Sequence, residues 1–102
     1  MDKFARVRFK ADEMEQQRDF LLAMNGAEII QIAKSDVDRW YEEDMRHVTG
    51  GYENNLVLHD EEEEKRFQYV MNAFFPDKKY EITDEPRSKE FKSWLEKDKL
   101  AP

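Results

Sequence analysis

The stretch Ala27-Glu28-Ile29-Ile30-Gln31-Ile32-Ala33 decides how this chain folds. Three isoleucines in seven residues give it the β-branched density of a strand. It follows Asn25-Gly26, a pair suited to supplying the left-handed residue that ends many helices. Read as a strand, 27–33 closes a strand–helix–strand unit that opens near residue 4. The rival reading is a largely helical chain in which the short strands are merely loops, since short apolar runs such as 55–58 are ambiguous on periodicity alone. The segments on either side favour the strand.

Upstream, Phe4-Ala5-Arg6-Val7-Arg8-Phe9-Lys10 alternates apolar and basic residues with a period of two. Ala5, Val7 and Phe9 are expected to face inward, and Arg6, Arg8 and Lys10 outward. Asp12 and Glu13 suit a helix N-terminus, where acids meet the positive end of the macrodipole. Gln17, Phe20, Leu21 and Met24 then fall on one helical face. Downstream the same order recurs. Asn55-Leu56-Val57-Leu58-His59 reads as a strand, and Asp60 to Glu64 as an acidic helix start. Phe67, Val70, Met71 and Phe74 continue that helix as a stripe. Pro76-Asp77 breaks it, and Lys79-Tyr80-Glu81-Ile82-Thr83 alternates as a strand. The units match in pattern and not in residue identity.

Two such units in series predict an α+β fold with ferredoxin-like βαββαβ order, an inserted helix between the halves and a C-terminal helix. Right-handed crossovers place both main helices on one face of a four-stranded antiparallel sheet whose first and third strands are central. Ser35 with Asp38 marks the start of the inserted helix, which carries Val37, Trp40, Tyr41 and Met45 on one side. Gly50-Gly51 mark a loop, and Pro86 leads into a final helix over 87–98 with Phe91, Trp94 and Leu95 on one face. Both extra helices are placed to cover the second face of the sheet.

The bulk composition fits one folded domain over residues 1–102. Charged residues make up 40%, yet 7 Phe, 4 Tyr and 2 Trp against 3 Gly and 3 Pro are not a disordered composition. The absence of cysteine removes disulfides, thiolate metal sites and a thiol nucleophile. Neither a signal-like apolar run nor a membrane-length segment occurs, so a cytoplasmic location is expected, with no membrane partner. A net charge of −7 argues against direct nucleic-acid binding.

Arginines on a sheet face form the first candidate site. In the expected sheet, Arg6 and Arg8 stand beside Asn55 and His59, with Lys79 on the neighbouring strand. Guanidinium forks there suit a phosphate, a carboxylate or a nucleotide. The competing reading pairs these arginines with the chain's own acids, such as Glu42, Glu43 or Glu90. An RNA-recognition surface would present aromatics where this face presents arginine and asparagine. His59 followed by five acids invites a metal, but consecutive helical residues point around the axis, so a solvated helix start is expected. With only Ser35, Ser88 and Ser93 as hydroxyl nucleophiles of that type and no phosphate-binding loop, neither an enzyme nor a cofactor is expected.

What remains is an acidic protein-interaction module, a binder or inhibitor of another protein. Its composition is like that of immunity-type and phage or mobile-element accessory proteins. Its partner-binding residues are expected to be Asp36, Trp40, Glu42, Glu43, Glu61, Glu62, Glu63 and Glu64, facing a protein with a basic surface. The alternative is a small anionic ligand at Arg6, Arg8, Asn55, His59 and Lys79. A homodimer through an open sheet face is a third reading.

Overall fold

The computed structural model describes residues 2–43 and 50–84. It is an α+β domain in which strand β1 (Lys3–Phe9) leads through a short 3-10 turn (Ala11–Glu13) into helix α1 (Met14–Gly26). Helix α2 (Lys34–Glu43), strand β2 (Tyr52–Leu58), helix α3 (Glu61–Phe74) and strand β3 (Tyr80–Thr83) follow. The described strands form one antiparallel sheet in the order β2-β1-β3. Alternation in β1 works as its sequence predicts: Ala5, Val7 and Phe9 are fully buried beneath the helices.

The core joins these residues to Phe20 and Met24 of α1, Leu56 and Leu58 of β2, and Phe67 and Met71 of α3. Phe20 sits between Phe9, at 5.3 Å between ring centroids, and Phe75, edge-on at 5.8 Å. Phe67 meets Tyr80 edge-on at 5.2 Å, tying α3 to β3. One polar pair interrupts the apolar layer. Gln17, fully buried on α1, and Asn54 on β2 exchange two side-chain amide hydrogen bonds.

The stretch 27–33 is not a strand, and the ferredoxin-like order is not reproduced. Its backbone donors turn back to the end of α1. Ala27 N–H donates to the Ala23 carbonyl, Glu28 N–H to Asn25, and Ile29 and Ile30 N–H to Met24. Ile32 N–H donates to the Asn25 Oδ1 at 3.1 Å. The orphan carbonyls of the helix end thus take the hydrogen bonds a strand would have given to a neighbour. Ile29, Ile30 and Ile32 still pack on the core, so β-branching here serves burial in a connection. Without that strand, the third expected strand becomes the edge strand β2 among the described residues.

Several local expectations change with it. Gly26 is the last residue of α1 and has no positive φ; the left-handed residue is Glu28, at φ 61°. Helix α2 begins at Lys34 with Asp36 and Val37 N–H groups donating to the Ala33 carbonyl, so Ser35 lies inside the helix and does not cap it. Val37 is buried in the same core as Val7 and Phe9, and α2 packs on α1. The inserted helix therefore does not cover the arginine face. Phe74 is 65% exposed, while Phe75, past the helix end, turns into the core. Met45, His47 and the expected helix over 87–98 lie outside the described residues.

Candidate functional site

Register places the arginines on the sheet face opposite the helices. Arg6 stands between Asn55 of β2 and Glu81 of β3, and Arg8 is opposite Glu53 of β2. Arg6 is only 5% exposed and lies 3.7 Å from Glu81, and Arg8 lies 3.7 Å from Glu53. The acids at ion-pair distance thus come from the flanking strands. They form with Lys10, Glu13, Lys78 and Lys79 a basin of mixed charge. Arg6, Arg8 and Lys79 line it, and Asn55 is beside Arg6 in register. His59 does not join them. It follows the opposite end of β2, where its Nδ1 is 3.2 Å from Asp2.

Two carboxyl groups of this basin have opposite electrostatics. Glu53, with a side chain 1% exposed, is pushed above the usual carboxylate range by burial, against the pull of Arg8 and Arg6. Glu13 is held below that range by its hydrogen bond from Lys78 at 2.6 Å and by the Lys10 backbone N–H at 2.8 Å. The Lys78 ammonium also lies 4.7 Å from the Phe9 ring centroid and donates to the Arg8 carbonyl. Much of the basin is occupied in holding β1, β3 and the 3-10 turn together.

The acidic residues divide in the same way between architecture and surface. On α3, Glu63 and Asp60 form the helix start: Glu63 N–H donates to the Asp60 Oδ1 at 2.8 Å, and Glu63 accepts from His59 N–H at 2.7 Å. Glu64 pairs with Lys3 at 3.1 Å. Glu61 and Glu62 face solvent, with Arg66 at 4.0 Å from Glu62. On α2, Asp36 pairs with Arg39 at 3.2 Å, and Glu42 and Glu43 are exposed. Trp40 is half-buried and packs against the core. Among the described residues no cluster of three potential metal ligands occurs. No described helix is long and apolar enough to cross a membrane.

One surface was not anticipated from sequence. Tyr69 and Phe74 of α3 are 70% and 65% exposed. They border a cleft of ≈ 570 Å³ between α3 and the end of α1, lined also by Ala23, Gly26, Ala27 and Val70 and by the charged side chains Glu62, Lys65 and Arg66. Two signals for it exist in the sequence. The doublet Phe74-Phe75 cannot put both rings on one side of a helix, and Ala23 and Gly26 lie one turn apart and leave space beside α1. No protein-family model, no curated protein and no solved structure matches this chain.

Proposed function

We propose that this chain is a protein-interaction module that binds a partner with a basic surface, and that α3 is its main contact element. The observation that carries this reading is the coexistence on one helix of exposed acids and exposed aromatics. Glu61 and Glu62 stand free of the cap at its start, and Tyr69 and Phe74 are exposed further along. Exposed aromatics beside a concavity supply the desolvated anchors of an interface, and peripheral charges steer encounter and register. Glu42 and Glu43 of α2 extend the acidic surface toward the same kind of partner. Binding of this type blocks whatever the partner's basic surface would otherwise engage, which is the inhibitory form of the proposal.

The experiment is partner recovery by cross-linking in cells, followed by association kinetics with the purified partner. The association rate should fall steeply as salt rises, and Glu61→Lys with Glu62→Lys should slow it by about tenfold or more while dissociation changes little. Glu63 and Glu64 are left intact because both hold the fold. A partner whose association ignores both salt and charge reversal contradicts the reading.

A further inference from the structure

Helices α1, α2 and α3 all pack on the face of the sheet that carries Ala5, Val7 and Phe9. Among the described residues no helix lies on the opposite face, yet that face is not open to water. Arg6 at its centre is 5% exposed, and the Glu53 side chain, on an edge strand, is 1% exposed. Phe4 alternates with Arg6 on this face and is half-buried without belonging to the core. Neighbouring strands shield such side chains only from the sides, so burial this deep of charged groups calls for a layer above them. Arg8 and Val57 keep partial exposure at its rim. None of Arg6, Arg8, Asn55 and Thr83 is a free group standing ready for a ligand.

The chain's own sequence supplies a layer of the right size and chemistry. Strand β3 ends at Thr83, which pairs with Phe4 in register, so residues 85–102 start beside this face. Within them Phe91, Trp94 and Leu95 recur at helical spacing, and Glu90 and Asp98 stand one turn on either side of Trp94. As a helix, 87–98 measures about 18 Å, and Phe4 to Arg8 along β1 measures about 13 Å. The stripe of rings suits Phe4 and Val57, and its flanking acids suit Arg6 and Arg8. Residues 44–49 offer only Met45 and Val48 as apolar residues.

We propose that residues 87–98 of this chain dock on this face as an amphipathic helix, seating Phe91, Trp94 and Leu95 over Phe4 and Arg6. An indole over the Arg6 guanidinium combines apolar cover with a cation–π contact. The arginine face is then structural, closed to anions and acidic partners by the chain itself. This goes beyond the interaction reading of α3 and stands or falls separately from it.

The chain has no cysteine, so Ser93→Cys in the full chain gives a single attachment point for a nitroxide, on the side of the segment away from the Trp94 stripe. Paramagnetic broadening of amide signals should be strongest at Phe4, Arg6, Asn55 and Glu81, and weaker at Ala23 and Tyr69 beyond the sheet. Adding Trp94→Ser should relieve the broadening at the strand positions and lower the melting temperature by about 4 °C or more. The broadening pattern of the singly substituted chain remains the readout even if Trp94→Ser fails to fold. Weak, uniform broadening, or broadening strongest at Tyr69 and Phe74, would overturn the proposal. Mixing the nitroxide-bearing chain with an isotope-labelled chain that lacks it separates one copy from two. Strand broadening in the chain without nitroxide would mean that a second copy covers the face, and would likewise overturn the proposal.

Discussion

Gln17 and Asn54 face each other across the core with both amides engaged. Gln17 Nε2 donates to Asn54 Oδ1 at 2.9 Å, and Asn54 Nδ2 donates to Gln17 Oε1 at 2.5 Å. Asn54 also reaches the Val7 carbonyl at 3.4 Å, so the pair joins α1, β2 and β1 at one point. A buried amide pair of this kind fixes the register of helix on sheet because a shift leaves both groups without partners.

Breaking this pair from one side should be costly. Gln17→Met or Asn54→Leu alone strands the other amide in the core and should cost about 1–3 kcal/mol. The double variant should be less destabilised than the sum, by about 1 kcal/mol or more. Urea unfolding of the four proteins measures this. Additive losses would mean the two amides act independently.

Adjacent phenylalanines should behave oppositely. Phe75 is 5% exposed and packs edge-on against Phe20, so Phe75→Ala should cost about 3–5 kcal/mol. Phe74→Ala, removing a ring that is 65% exposed, should change stability by no more than about 0.5 kcal/mol. Equal losses would place Phe74 in the core, where the helical stripe alone would put it.

At position 28 the backbone itself makes a prediction. Glu28 has φ 61°, which costs a residue with a side chain roughly 1 kcal/mol. Glu28→Gly should therefore stabilise the domain by a few tenths to about 1 kcal/mol, the upper limit set by the extra freedom glycine gains when unfolded. A strand at 27–33 would respond the other way, since glycine weakens strands. Thermal unfolding decides between them.

Glu53 and Glu13 should tilt the pH dependence in opposite directions. Burial raises the Glu53 carboxyl above 4.5, so the folded state holds that proton more tightly than the unfolded state. Its contribution is present below 4.5 and is lost as pH rises through the folded value. Glu53→Gln should thus be at least as stable as the parent at pH 7, with the difference closing below about 4.5. Glu13 lies below 4.5, so its contribution is present above that value and lost as pH falls through the folded one. Glu13→Gln should lower the melting temperature at pH 7 and flatten the acid limb. Identical pH profiles for the two variants would contradict these assignments.

The alternation of Ala5, Val7 and Phe9 was legible because period two reports directly on a half-buried strand. So were the second strand–helix–strand unit and the acidic start of α3. The segment 27–33 was not legible. Its isoleucines are buried as a strand's would be, but the destination of its backbone N–H groups depends on Met24 and Asn25, and composition carries no trace of that. The arginine face was found, yet its partners were not, because Glu53 and Glu81 reach Arg8 and Arg6 through strand register. The cleft escaped for a related reason. Its walls come from residues 23–27 and 62–74, brought together only by packing.

Hydrogen–deuterium exchange of the chain with and without its cross-linked partner tests the central claim most directly. The interaction reading predicts slowed exchange in α3 from Glu61 to Phe74. Protection confined to Arg6, Arg8 and the neighbouring strand positions, with α3 unchanged, would contradict it.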